Sequence, residues 1–334
     1  MPKKTTKKHG FDVVTIGGAT RDVFVRSKKF QTIRDPAAPD GFDACFPLGA
    51  KIDVDDILFE TGGGATNAAV TFSRLGLRTA CIGRIGKDVG GRELVENLRG
   101  HGIDTAAFQL DPKLGTAYSI ILLSGSGHRS ILVHRGASAR IDPAKLTLKA
   151  LAPAWVYLTS VGGNLPLLKR IFSTTKTLSI HVAWNPGNAE LALGFKRLLP
   201  FLTQTDILDL NREEAAELAD TPPRHLDAIL HLLGTVPRQA LVVTDGQDGA
   251  YVHSRGVTWH APALPGRRVN ATGAGDAFGS GFVAAAIRTG NLEKALRVGM
   301  LNATGVVTHM GAKAGILKRF PTAADMRRVK VKPY

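Results

Sequence analysis

Short apolar runs alternate with helical segments along this chain, and that alternation limits the possible folds more than any other feature. Phe11-Asp12-Val13-Val14-Thr15-Ile16-Gly17-Gly18 is such a run, closed by glycines, and Trp155 to Leu158, Leu178 to Val182, Asp206 to Leu210 and Ala240 to Thr244 repeat the type. Short, continuously apolar runs are what strands covered on both faces require. Helical segments between them predict an α/β fold: a doubly wound, mostly parallel sheet flanked by helices. Helices are expected over Ala65 to Leu75, stopped by Gly76, over Glu93 to Leu98, closed by Gly100 and Gly102, and over Glu213 to Leu218. A chain of 334 residues suits one large domain over 11–334 with a small appendage, preceded by a basic tail over 1–10 that is set aside from the fold.

Two stretches break the pattern. From about 22 to 61, β-type pieces (Val23 to Val25, Ala44 to Phe46, Lys51 to Val54) lie among Pro, Gly and Asp turn signals. From about 114 to 137, Tyr118 to Leu123 and Ser130 to His134 flank Ser124-Gly125-Ser126-Gly127, the expected turn of a hairpin. Both stretches are read as one small sheet that meets in space and forms a lid at the mouth of the α/β domain.

Composition removes several function classes. No run approaches eighteen consecutive apolar residues, which leaves no membrane-spanning helix. Two cysteines, Cys45 and Cys81, make neither a disulfide framework nor a metal pair, as expected of a cytoplasmic protein, and the ten histidines lack zinc spacing. The net charge of +15 is spread along the chain. With only 6% aromatic residues, this excess argues for a solvated basic surface or a polyanionic substrate rather than specific nucleic-acid reading.

The densest local signal is Asn270-Ala271-Thr272-Gly273-Ala274-Gly275-Asp276-Ala277-Phe278-Gly279-Ser280-Gly281, which opens a helix of small apolar residues. Glycines ahead of a helix let consecutive backbone N–H groups converge on an anion, and the helix dipole favours negative charge there. Asp276, in the first turn, stands where a carboxylate can take a proton from an attacking hydroxyl, while the amides of Ala274, Gly275 and Asp276 stabilise the transferring group. Asn211-Arg212-Glu213-Glu214 follows a strand, where Asn211 and Glu214 can hold a hydrated Mg²⁺ or simply cap a helix. Thr244-Asp245-Gly246-Gln247-Asp248-Gly249 follows the next strand, and its glycines allow close approach to a nucleotide or serve an ordinary turn.

These segments, with Gly62-Gly63-Gly64-Ala65-Thr66-Asn67-Ala68-Ala69, occur in an order that resembles the ribokinase-like, or PfkB, carbohydrate kinases over about residues 11–315. The resemblance implies an ATP-dependent phosphotransferase, with ADP as the alternative donor, acting on an alcohol group of a sugar, sugar phosphate or nucleoside. It implies Asp276 as catalytic base with Gly273, Ala274 and Gly275 as the anion hole. It implies acceptor binding by Asp22, Gly63, Gly64 and Asn67, and Mg²⁺ and phosphates near Asn211 and Glu214. The nucleotide would lie at Thr244, Gly246 and Gly249, with adenine enclosed by Asn302 and Gly311. The lid of such proteins often pairs with a second subunit, which makes a homodimer the expected assembly. Three departures stand out. Asn270-Ala271 replaces the Asp-Thr that serves a monovalent cation in the family; Gly64 stands where ribokinases proper carry a lysine; and Leu158-Thr159-Ser160-Val161-Gly162-Gly163 lacks their glutamate. The rival readings are a catalytically idle nucleotide- or sugar-binding relative and a basic nucleic-acid-binding protein.

Overall fold

The computed structural model describes residues 10–38, 41–124, 129–266 and 268–334. The basic tail (but for Gly10), the hairpin turn Gly125 to Gly127, Pro39 and Arg267 lie outside the described residues.

Nine strands form one sheet in the order Lys332–Pro333, Val257–Ala261, Gly249–Ser254, Ala240–Asp245, Ile207–Asn211, His181–Trp184, Pro153–Leu158, Phe11–Ile16 and Thr79–Ile82. From Ala240–Asp245 to Thr79–Ile82 every pairing is parallel. The remaining pairings are antiparallel, in a meander that the expected alternation did not include. The strand expected at Leu178 to Val182 begins later, because helix Leu165–Leu178 runs on until Ser179 adopts a left-handed conformation. The helix expected around a core of Glu93 to Leu98 runs over Val89–Gly100; the Asp88 side chain accepts the Gly91 N–H at its start and offsets two helix-weakening glycines.

Alternate residues of the parallel strands supply the two faces. Val14, Ile16, Val156 and Leu158 pack on one side with Phe172, Leu198 and Leu230. Val13, Tyr157, Ile207 and Val242 pack on the other with Phe72, Phe282 and Leu296. Each such large side chain removed from water stabilises the fold by about 1.5–3 kcal/mol. Helices Gly64–Arg74, Ala274–Thr289 and Leu292–Val307 form this second layer. No helix among the described residues is long and apolar enough to cross a membrane.

The two irregular stretches pair with each other. Strand Thr20–Ser27 runs antiparallel to Asp56–Gly62 and parallel to Ala117–Ser124, which pairs with Arg129–His134. The lid strand predicted at Lys51 to Val54 is instead irregular, and its place is taken by Asp56–Gly62. Register puts Asp22, Glu60 and Ser119 on one face of this four-stranded sheet and Val23, Phe59 and Ile120 on the other.

Phe11–Ile16 has Thr79–Ile82 on one side and Pro153–Leu158 on the other, so the winding direction reverses there. The crevice beyond the carboxyl ends of strands at such a reversal is where open α/β sheets bind ligands. Gly17, Gly18 and Thr159 stand at that point.

Candidate active site

Helix Ala274–Thr289 begins at the crevice, with Gly273 as N-cap in the left-handed conformation (φ 79°). A Cβ at Gly273 would also meet Cβ of Ala312 at 2.5 Å, so only glycine admits this turn. Asp276 in the first turn is half-buried and accepts a hydrogen bond from Asn67 Nδ2 at 2.8 Å. Asn67 comes from helix Gly64–Arg74, whose N-cap Gly63 has φ 97° and where a Cβ would meet Gly18 O at 2.5 Å. A Cβ at Gly64 would lie 3.1 Å from Asp276 Oδ1, and one at Gly62 would overlap the Asp22 carboxylate. The glycine segment therefore lets Asp22, Asn67 and Asp276 converge on one cleft.

Burial raises the pKa of Asp276 from the ordinary aspartate value; Asn67 and Lys313 oppose the rise, and Asp22 adds to it. Asp22, only 5% exposed, is raised by burial too, against hydrogen bonds from Ser119 and Thr20 and the charge of Lys313. Both groups are suited to hold or accept a proton nearer neutrality than a solvated aspartate would.

On the other side of Ala274 and Gly275 lies a cavity of ≈ 630 Å³, within the size range of nucleotide-sized ligand sites. Thr244, Gly246 and Gly249 line it, as do Asn211 and, from the last long helix, Met300, Ala303 and Thr304. An ion pair of Arg212 Nη1 with Asp245 Oδ2 at 2.5 Å ties the two post-strand loops together. Gly246 (φ 49°) opens onto free space, whereas a Cβ at Gly249 would collide with Ala261 O; the first serves the cavity and the second the adjoining strand pair.

Asn211 and Glu214 form a reciprocal capping box: Asn211 Oδ1 accepts Glu214 N–H at 2.8 Å, and Glu214 Oε2 accepts Asn211 N–H at 2.9 Å. One Glu214 oxygen and the Asn211 amide nitrogen stay outside that pairing. Burial raises the Glu214 pKa, and Glu213, Asp276 and Glu217 raise it further. Asp209, 3% exposed on the same strand, is raised well above the carboxylate range by burial, then by Glu214 and Asp276. Asn211 and Glu214 are the residues here whose oxygens could face a hydrated divalent ion; among the described residues no three acidic, His or Cys side chains converge on one point.

Asn302 and Gly311 do not line the cavity. Asn302 is fully buried and turned away from the cavity; its Nδ2 donates to Ala277 O at 2.7 Å and Thr71 Oγ1 at 3.2 Å, and its Oδ1 accepts Leu317 N–H at 2.9 Å. It locks three segments together, while its neighbours Ala303 and Thr304 face the cavity. Gly311 (φ 83°) lies against Glu60, with a Cβ 3.2 Å from Glu60 Cγ, on the strand that pairs with the strand of Asp22.

Sequence reading missed Lys313, buried at 4% exposure beside this site. It stands two residues after Gly311, and a lysine within Gly-Ala-Lys-Ala-Gly was the available signal. Arg129, on the outermost lid strand, was missed as well. It shares the register row of Arg26 and Leu123, hence the face of Asp22, and its Nη1 reaches Thr272 Oγ1 at 3.5 Å.

A model of the "pfkB family carbohydrate kinase" matches residues 32–319. A probable fructokinase of Arabidopsis thaliana is 28% identical over 74% of this chain and 77% of its own length. An ATP-dependent ribose-1-phosphate kinase of Halopiger xanaduensis is 27% identical over 74% and 79%. The solved ribokinase of Arabidopsis thaliana, complexed with ribose and ATP, superposes with TM-score 0.78 at 20% identity, covering 95% of this chain and 98% of that one. With the family match spanning most of the sequence, and both the sequence relatives and the fold agreeing with it, the chain belongs to the pfkB family of carbohydrate kinases and is a kinase.

Proposed function

We propose that this kinase transfers the γ-phosphoryl group of ATP to a hydroxyl of a sugar, sugar phosphate or nucleoside, with Asp276 as the base. The observation that carries the reading is the convergence of Asp276, Asn67 and Asp22 on one side of the anion-hole turn, with the nucleotide-sized cavity on the other. Asp22 and Asn67 hold hydroxyls of the acceptor through a carboxylate and an amide. Asp276 accepts the proton of the attacking hydroxyl as its oxygen bonds to the γ-phosphorus, and the bond to the β–γ bridging oxygen breaks to release ADP. Backbone N–H groups from Gly273 to Asp276, at the positive end of a helix of 16 residues, receive the charge on the transferring oxygens. Mg²⁺, when bound, neutralises phosphate charge; Glu214 and Asn211 are the residues that would hold it through water. A solved structure from Escherichia coli with TM-score 0.74 contains ATP and Mg²⁺, which supports the choice of both.

The lid over about 22–61 and 114–137 belongs in this reading to one domain spanning 11–334, and closes over the acceptor. Its outer face carries Phe59, Ile120 and Leu132 in register, 55%, 38% and 56% exposed, and a second copy of the chain is the partner proposed for it. Sedimentation of Leu132→Glu against the unaltered protein tests that assembly: a shift to monomer supports it, and an unchanged profile contradicts it.

The experiment for the main reading is a coupled assay with fructose, ribose, deoxyribose, ribose 1-phosphate and adenosine, each with ATP and with ADP. ATP-dependent turnover of at least one, abolished by chelating Mg²⁺, is expected. Consumption of neither donor with any acceptor would favour an idle relative.

A further inference from the structure

The loop that follows helix Leu292–Val307 carries Lys313 into the protein interior. Arg74 Nη1 anchors that loop by donating to Lys313 O at 3.0 Å and to Ile316 O at 3.1 Å. The Lys313 ammonium donates to Thr61 O, to Thr61 Oγ1 at 3.1 Å and to Thr66 Oγ1 at 3.1 Å. Its three protons thus meet three neutral oxygens, and the Thr66 hydroxyl spends its own proton on Gly62 O at 2.7 Å. Thr61 is the penultimate residue of the lid strand Asp56–Gly62, and Thr66 lies in the first turn of helix Gly64–Arg74. Between them runs the glycine segment where the lid joins the core.

A buried ammonium that bonds only neutral oxygens has no ion-pair contact to offset its lost hydration. Burial depresses its pKa to about 8, against the opposing pull of Asp22, Glu60 and Asp276. The titratable groups around it are the carboxyls Asp22 and Glu60 from the lid strands and Asp276 from the anion-hole helix, the thiol Cys81 from the core strand, the guanidinium Arg74, and the imidazole His101, whose pKa burial and the neighbouring cations lower. Burial pushes the Cys81 thiol itself up to about 12, so it stays neutral.

We propose that Lys313 is a positioning residue for phosphoryl transfer: its ammonium pins the lid hinge at Thr61 and Thr66 while its charge acts on both the acceptor carboxylate Asp22 and the base Asp276. One proton then governs both the hinge and the two carboxylates. The inference rests on Asp276 being the base, and its test has a part that needs no turnover.

Hydrogen exchange over residues 57–67 is measured in the free protein and in Lys313→Met, Lys313→Arg and Thr66→Val. Exchange at least ~10-fold faster in Lys313→Met is expected, with strand Ala240–Asp245 unaffected and Lys313→Arg within ~3-fold of the unaltered chain. Unchanged protection in Lys313→Met overturns the hinge role. Should Lys313→Met not fold, Thr66→Val, which removes one of the three acceptors, is expected to move the same segment in the same direction. No movement there overturns the role equally.

Using an acceptor identified in the panel, kcat/KM is then followed against pH. Lys313→Met is expected to move the acid limb to higher pH, because a charge that lowers the Asp276 pKa is gone. Its KM for acceptor is expected to rise ~10-fold with KM for ATP within ~3-fold. The unaltered enzyme should decline above about pH 8 as Lys313 loses its proton, and Lys313→Arg should lack that decline. An unmoved acid limb, or a decline that persists in Lys313→Arg, overturns the electrostatic role. Absence of turnover by the unaltered enzyme with every acceptor would instead defeat the kinase reading of the site, leaving exchange to decide the hinge role.

Discussion

The two halves of the cleft are built by opposite means. On the acceptor side, charged and amide side chains are packed into the interior and held by each other: Asp22 and Lys313 are 5% and 4% exposed, and Asn67, also 4% exposed, is bonded to Asp276. On the donor side, the cavity wall is mostly loops and small residues (Thr244, Gly246, Ala271, Ala303), fixed from outside by the Arg212–Asp245 pair. A nucleotide brings its own charge and a large flat base, so shape and backbone amides suffice for it. A polyol is small, neutral and surrounded by water, and only oriented polar groups in a dry pocket can pick out one hydroxyl. If that contrast is real, substitutions in the two halves should separate cleanly in the kinetics.

The largest separation is expected at the boundary. Asp276→Asn should lower kcat by at least ~10²-fold while ATP affinity and melting temperature hold, as stopped assays and titration calorimetry would show. Asp22→Ala should lower kcat/KM for acceptor by ~10- to 10²-fold, with KM for ATP within ~3-fold, in steady-state kinetics varying each substrate. The mirror image is Ala303→Phe, which fills the donor cavity and should raise KM for ATP ~10-fold without moving KM for acceptor. A smaller effect, about 2- to 5-fold on KM for ATP alone, is expected from Arg212→Gln, since the pair it breaks is partly exposed. If any of these moves both Michaelis constants equally, the two halves are not independent.

The pH dependence follows from the acceptor half. Burial raises the pKa of Asp276, so as pH falls the base protonates sooner than an ordinary aspartate would. The acid limb of kcat/KM is therefore expected above the ordinary aspartate pKa of about 3.9, and a limb at or below that value would remove Asp276 from the role.

The contrast also explains what the sequence made legible. The parallel core, the small separate sheet and the glycine turn before helix Ala274–Thr289 were readable because each has a local signature: apolar runs, turn residues in clusters, and glycines ahead of a small-residue helix. The loops that begin at Asn211 and Thr244 were readable for the same reason, since each follows its strand directly. The antiparallel meander Gly249–Ser254 and Val257–Ala261 was missed because its partly apolar pieces lack a period long enough to register. Lys313 was missed because nothing around residue 313 foretells that its side chain will meet Thr61 and Thr66, about 250 positions earlier. The helix of Asn302 does line the cavity, but through Ala303 and Thr304, because the Asn302 side chain is turned into the core. Burial at long range, which the acceptor half depends on, is what local pattern cannot carry.

The most direct test is a structure of the protein with a turned-over acceptor and a non-hydrolysable ATP analogue. One acceptor hydroxyl is expected within about 2.6–3.2 Å of an Asp276 carboxylate oxygen and facing the γ-phosphate, with other hydroxyls on Asp22 and Asn67. An acceptor seated away from Asp22, or with no hydroxyl near Asp276, would contradict the account.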